Sequence, residues 1–277
     1  MTDAHEPSAV VSRLRAAGCV FAEDEARLLL DATSSAAELT ALVDRRVAGE
    51  PLEHLLGWVE FCGLRVAVDP GVFVPRRRTG FLVEQALAQA VARARPRAVV
   101  VDLCCGSGAL GLAVAAGLPG IELHAADVDP AAVACARRNL ATVGGLVHEG
   151  DLFDALPAEL RGRVDVLVAN VPYVPSAEIA WMPPEARDHE PRVALDGGAD
   201  GLDVARRVIA GAPEWLAPGG SLLFETSEDQ APIAIALIAA GGLVPRVADD
   251  DELGATVVVG TVASCDESGR AIRSALA

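Results

Sequence analysis

Hydrophobic and polar positions along the chain change their period twice. From residue 8 to about 50 the apolar positions recur at helical spacing. Ser8 is placed to cap a helix over Val10–Ala17 that Gly18 closes. A second helix, Ala22–Ala32, carries Ala26, Leu29 and Leu30 on one face and Glu23, Asp24 and Glu25 in its first turn, where the helix dipole favours acids. Ser34 or Ser35, with Glu38 at capping-box spacing, opens a third that runs to Val47 and stops at Gly49. These predict an N-terminal helical bundle over residues 1–50. Over residues 51–78 the pattern shifts: Trp58, Phe61, Leu64, Val66 and Val68 predict a linking β-hairpin that turns near Gly63. A helix follows from Phe81 to about Arg93. From Ala98 onward short apolar runs alternate with helical stretches, the signature of a doubly wound α/β fold. The strands expected are Ala98–Leu103, Ile121–Ala126, Leu146–Glu149, Val164–Ala169, Gly220–Glu225, Leu243–Val247 and Thr256–Thr261, with helices beginning near Gly108, Pro130, Leu202 and Glu228. Only the acidic loop Asp249–Glu252 separates the last two strands, so the seven-stranded, mostly parallel, Rossmann-like sheet of residues 79–277 ends in an antiparallel pair.

One run stands out. Val164–Tyr173 is almost continuously apolar, as in a strand buried on both faces, and stops at Asn170-Val171-Pro172-Tyr173. Open α/β sheets bind ligands beyond the carboxyl ends of their strands. Pro172 has no N–H and holds Val171 extended, which leaves the Val171 carbonyl free of any helix or turn. With the Asn170 side-chain oxygen it makes two acceptors aimed at one point beside the Tyr173 ring. That arrangement suits a planar –NH2 group, either a carboxamide or the exocyclic amine of a base. A strand ending in an ordinary turn would use the same residue types.

Charge narrows the choice. The 277 residues include 23 basic and 39 acidic ones, a net charge of −16, and every basic residue is Arg. Such a surface repels phosphate backbones and lacks the footprint of a nucleic-acid binder. Half the chain is apolar, yet no uninterrupted apolar run reaches roughly 18 residues, and Met1–Glu6 has neither the basic nor the apolar region of a signal peptide. A soluble cytoplasmic protein is expected. Cys19, Cys62, Cys104, Cys105, Cys135 and Cys265 form no Cys-x-x-Cys pair and have no His at ligand spacing, so no zinc site is predicted. The Arg76-Arg77-Arg78 run is the densest basic stretch, either a solvated linker or a contact for an acidic partner or a cofactor carboxylate.

The first strand of the sheet runs into Asp102-Leu103-Cys104-Cys105-Gly106-Ser107-Gly108-Ala109-Leu110-Gly111. This satisfies G-x-G-x-x-G, and Asp127 ends the next strand about twenty residues on. A dinucleotide would bring its pyrophosphate up to the Asp102 carboxylate, a like-charge contact. S-adenosylmethionine has a cationic amino-acid end, a ribose for Asp127 and no phosphate. It is the cofactor these residues predict. Asp151, in Gly150-Asp151-Leu152-Phe153, is placed to accept from the adenine amino group, with Leu152 and Phe153 as apolar walls.

Pro51-Leu52-Glu53-His54-Leu55-Leu56-Gly57, Val74-Pro75-Arg76, Asp102–Gly108, Gly150–Phe153 and Asn170–Tyr173 occur in that order. Glu190-Pro191-Arg192-Val193-Ala194-Leu195-Asp196-Gly197-Gly198 and Asp200-Gly201-Leu202 follow. Over nearly its whole length the chain resembles the HemK/PrmC protein N5-glutamine methyltransferases. The resemblance implies a class I S-adenosylmethionine-dependent methyltransferase domain behind a small helical domain and hairpin. It implies methylation of the glutamine in the Gly-Gly-Gln loop of peptide-chain release factors, with no stable nucleic-acid or membrane partner. By the same resemblance Asn170, Val171, Pro172 and Tyr173 are the catalytic segment. They also hold the substrate, together with Arg76. Asp102, Cys104, Gly106, Ser107, Gly108, Asp127, Val128, Asp151, Leu152 and Asn170 hold the cofactor. Three departures mark a divergent member or paralogue. Val171 replaces the first proline of Asn-Pro-Pro-Tyr, Cys104 stands where the loop usually begins with Gly, and Arg-Pro-Asp-Thr-Glu has become Arg76-Arg77-Arg78-Thr79-Gly80. The residues leave open a nucleic-acid amine, another peptide or a small molecule as substrate, and a non-catalytic protein that kept the fold.

Overall fold

A computed structural model describes residues 6–93 and 95–263; Met1–His5 and Cys265 lie outside them. Helices α1 (Pro7–Ala16), α2 (Ala22–Asp31) and α3 (Ala36–Val47) bury Val10, Leu14, Ala26, Leu29, Leu39 and Val43 against one another. The start of α3 is a capping box: the Ser35 hydroxyl accepts from the Glu38 N–H at 3.3 Å and the Glu38 carboxylate accepts from the Ser34 N–H at 3.0 Å. The start of α1 differs from the expectation. Ser8 lies inside the first turn, and the helix opens at Pro7 after Glu6 with no side-chain cap. Proline's preset φ and missing N–H suit the first helical position, where that donor would be orphaned anyway.

The short helix α4 (Leu52–Leu56) leads into the hairpin β1 (Trp58–Phe61) and β2 (Leu64–Ala67). Cys62 and Gly63 turn it, both with positive φ (50° and 73°), the geometry whose twist matches paired strands. After the turn Arg77–Thr79 come α5 (Gly80–Ala92), β3 (Val99–Leu103), α6 (Ala109–Gly117), β4 (Glu122–Asp127), α7 (Pro130–Leu140), β5 (Leu146–Glu149) and β6 (Val164–Ala169). They are followed by α8 (Pro184–His189), α9 (Asp203–Trp215), β7 (Leu216–Thr226), α10 (Ala231–Ala240), β8 (Val244–Asp250) and β9 (Ala255–Thr261).

The seven strands β3–β9 form one sheet in the order β5-β4-β3-β6-β7-β9-β8. Strands β3 to β7 are parallel, and β9 runs antiparallel between β7 and β8. Alternate residues feed two cores. Val100, Val166 and Leu223 pack with Leu82 and Ala86 of α5 and Val114 of α6. Val101, Leu167 and Leu222 pack with Val208 of α9 and Ile238 of α10. Helices on both faces are the reason the strand sequences are continuously apolar instead of alternating. Asp165 alone interrupts β6. Fully buried, it accepts from the Val99 N–H at 3.0 Å and pairs with Arg93 and Arg95 at 3.2 and 3.3 Å. Among the described residues no helix is long and apolar enough to cross a membrane. The strand order reverses between β3 and β6, and a crevice opens beyond the carboxyl ends of strands at such a switch point.

Candidate active site

Leu103, the last residue of β3, is in register with Ala169, the last of β6. The loop Cys104–Gly108 and the segment Asn170–Tyr173 therefore leave the sheet side by side. They line one cavity together with Asp127 and Val128 from the end of β4, Asp151 and Leu152 after β5, and Arg76 and Arg78 ahead of α5. Of the residues singled out by sequence, Cys104, Gly106, Ser107, Asp127, Val128, Asp151, Leu152, Asn170, Val171, Pro172, Tyr173 and Arg76 meet on its wall. Asp102 and Gly108 stand behind it.

Asp102 is fully buried at the end of β3, where one carboxylate oxygen accepts from the Gly111 N–H at 2.9 Å. A Cβ on Gly111 would come within 3.2 Å of that oxygen, which gives the third glycine of the fingerprint its reason. The other Asp102 oxygen has no partner among the described residues. Burial pushes this carboxyl up to about 7. Gly108 caps the start of α6 with φ +77°, and a Cβ there would press on Ala136 and Leu140 of α7. Its role is close packing. Cys104 holds φ +54°, a left-handed conformation that glycine adopts without strain. Burial and the neighbouring Asp127 raise its thiol, so it stays neutral.

Asp127 binds the loop from the side, its two oxygens accepting from the Gly106 N–H at 2.8 Å and the Asp129 N–H at 3.0 Å. Asp151 is engaged by Arg207 of α9 at 2.6 Å, a partner the sequence did not reveal.

The Asn170 side-chain oxygen is buried and without a donor among the described residues. Two glycines behind the segment allow close approach. A Cβ on Gly197 would lie 2.7 Å from the Pro172 carbonyl, and one on Gly201 (φ +77°) only 2.2 Å from the Tyr173 carbonyl. The Gln230 side chain donates to the Tyr173 and Asp200 carbonyls, both at 2.9 Å, and ties loop to segment. The Tyr173 hydroxyl donates to Glu225, the acid near the end of β7, at 3.0 Å. Burial and that carboxylate push the phenol up to about 12.

Two arginines of the run, Arg76 and Arg78, find acids within the chain. Arg76 makes a two-pronged pair with buried Glu190 at 2.6 and 2.7 Å, and Arg78 donates to Glu225 at 2.8 Å. Glu225, Arg207 and Gln230 escaped the sequence reading. Glu225 carried a usable signal, since an acid closing an apolar strand run is also what marks Asp102 and Asp127.

A parallel sheet that reverses beside a glycine loop and acid-tipped strands defines a Rossmann-like methyltransferase of class I. Residues 63–182 match the family model "Methyltransferase small domain". Curated relatives named release factor glutamine methyltransferase include one from Geobacter sulfurreducens, 41% identical over 79% of this chain and 75% of the relative. Another, from Bradyrhizobium diazoefficiens, is 37% identical over 85% of this chain and 86% of the relative. The chain belongs to the release factor glutamine methyltransferase family. Among solved structures, the 16S rRNA N2 G1207 methyltransferase of T. thermophilus in complex with AdoMet and guanosine superposes with a TM-score of 0.53. It covers 74% of this chain and 49% of its own at 21% identity. A methyltransferase from Pyrococcus furiosus gives a TM-score of 0.52 at 15% identity, covering 73% and 90%. At those identities the likeness is one of fold.

Proposed function

We propose that this protein transfers the methyl group of S-adenosylmethionine to the side-chain amide nitrogen of a protein glutamine, that of the Gly-Gly-Gln loop in peptide-chain release factors, in the cytoplasm. One observation carries the reading: the buried Asn170 oxygen has no donor among the described residues, and it sits beside Val171 in the cavity wall. A carboxamide –NH2 brings two N–H donors, one for that oxygen and one for the Val171 carbonyl, while the Tyr173 ring covers its flat face.

The cavity suits the cofactor. Asp127 and Asp151 offer acceptors for hydroxyl and amino groups, Leu152 and Val128 offer apolar walls, and acids at 127, 129 and 151 in the lining would repel a pyrophosphate. When bound, the group supplies an electrophilic methyl on a sulfonium. The chain's own residues do the rest. An amide nitrogen is a poor nucleophile because its lone pair is delocalised into the carbonyl. Accepting both N–H bonds orients it, raises its electron density and stabilises the positive charge that develops as the C–N bond forms. Holding the reacting atoms about 3–3.5 Å apart supplies much of the remaining acceleration. The proton then lost can pass to water, so no titrating base is needed.

Two features favour a protein over a nucleic acid as substrate. Trp181 is 87% exposed beside the cavity residue Met182, and Val193 in the cavity lining is 54% exposed, an apolar rim for another polypeptide. The adjoining groove, lined by Glu225, Glu228, Asp249 and Asp250, carries the wrong charge for a phosphate backbone. The test is incubation with labelled S-adenosylmethionine and the host's release factors, followed by peptide mass spectrometry. A methyl group on the Gly-Gly-Gln glutamine is expected. Label on another residue, or none with the cofactor bound, would replace the substrate.

A further inference from the structure

We propose that Arg78 is a positioning residue for this reaction: it clamps the Tyr173 hydroxyl against Glu225 and so fixes the aromatic wall of the amide slot. The inference rests on the glutamine-amide reading above.

Three residues far apart in sequence close a ring of hydrogen bonds. Arg78 Nε donates to Glu225 Oε1 at 2.8 Å, Arg78 Nη2 donates to the Tyr173 hydroxyl, and that hydroxyl donates to the same Glu225 oxygen at 3.0 Å. The guanidinium carbon also lies 5.8 Å from the Tyr173 ring centroid. Glu225 is 2% exposed and its second oxygen has no partner among the described residues, so Arg78 and the phenol are what compensate its buried charge. An acid at position 78 would face Glu225 as a like charge. A cation there makes the ring possible.

The consequence for the site is geometric. Arg78 and Tyr173 line both the central cavity and the acidic groove next to it, and together they form the partition between the two. A phenol bonded to Glu225 alone can swing about that one contact. With Arg78 on its other side the hydroxyl is held by two partners in a planar fork. Opening the clamp would let the ring move toward the groove and leave the bound amide free to rotate away from attack. Arg78 therefore acts through Tyr173 and not on the reacting atoms.

The experiment compares Arg78→Met, Arg78→Lys, Tyr173→Phe and the Arg78→Met/Tyr173→Phe double variant on a release factor substrate. Arg78→Met and Tyr173→Phe should each lower kcat by about tenfold, with the cofactor Kd unchanged within about twofold, and the double variant should be no worse than either. Arg78→Lys should keep the melting temperature by neutralising Glu225 yet fail to restore kcat, because an ammonium lacks the fork. Multiplying effects in the double variant, or full kcat in Arg78→Lys, would reduce Arg78 to a counter-ion and overturn the proposal. Tyr173 is the single tyrosine of the chain. Labelling with 3-fluorotyrosine therefore gives one fluorine resonance, which Arg78→Lys should shift and broaden; an unmoved resonance also refutes the clamp. That measurement needs no turnover, so failure of the wild-type protein to methylate a release factor counts against the substrate reading and not against the clamp.

Discussion

A buried acceptor without a donor costs about 1–3 kcal/mol, so each one in a native fold calls for a partner or a role. The Asn170 oxygen is such an acceptor at the cavity wall. Asn170→Ala should lower kcat by about 10²–10³ while the cofactor Kd stays within about twofold. Equal losses in turnover and in calorimetric cofactor affinity would remove Asn170 from the amide clamp. Asp127 is the complementary case, a loop-anchoring acid in the cavity wall that is proposed to hold the cofactor. Asp127→Ala should weaken cofactor binding by about tenfold or more, as expected for losing a hydrogen bond to a charged acceptor; an unchanged Kd would sink the assignment. Asp102 makes a pH-dependent prediction. Its folded carboxyl is pushed up to about 7 by burial, whereas an unfolded Asp titrates near 3.9. Between those values the folded state holds the proton and the unfolded state does not. This group's contribution to stability is therefore full below about pH 4 and declines toward pH 7, by up to about 1.4 kcal/mol per pH unit. Asp102→Asn should flatten that part of a urea-stability profile in the cofactor-free protein, and an unaltered slope would show Asp102 ionised throughout. All three residues were legible in sequence as polar groups ending apolar strand runs. The partners of Asp151 and Tyr173 were not, because Arg207 and Glu225 lie 56 and 52 residues away.

Between secondary-structure elements, the Asp196–Gly201 loop shows how glycine lets a loop pack against the Asn170–Tyr173 segment. The Gly201 Cα sits where a Cβ would overlap both the Tyr173 carbonyl and the Gln230 amide that binds it. Gly201→Ala should destabilise the fold by about 1–3 kcal/mol through overpacking and positive φ. It should also lower kcat more than it raises the cofactor Kd, since the displaced chain is Asn170–Tyr173. Wild-type kinetics in that variant would show that the segment does not depend on the loop. Strand and helix placement was largely legible, because two-sided burial writes a continuous apolar run and the glycine loop marks its end. β5 and β6 match their expected bounds, while β7 begins four residues earlier, at Leu216. Apolar periodicity carries no signal for the short turns and α8 between β6 and α9, and Pro7 overrode the Ser8 cap for a local backbone reason.

For the molecule as a whole, Arg46 joins parts that the sequence kept 139 residues apart. Nearly buried at the end of α3, it pairs with Glu25 of α2 at 2.6 Å and reaches Glu185 of α8. Removing one partner from a buried ionic cluster leaves charge uncompensated, so Arg46→Ala should cost about 3–5 kcal/mol in urea unfolding. A loss below about 1 kcal/mol would mean that the cluster is effectively solvated. By itself the sequence determined the class of fold, the glycine loop after β3 and the place where β6 ends in a polar segment. Each of these follows from local patterns: buried strand runs, glycines at fixed spacing, and an asparagine and a proline that close an apolar run. Tertiary structure alone decided which charges meet. Arg76 with Glu190, Arg78 with Glu225 and Tyr173, and Arg46 with Glu25 and Glu185 are pairings between segments whose separation in sequence carries no periodic signal. Electrostatic partners are chosen by where the packed elements bring their ends, and that is fixed only when the core closes.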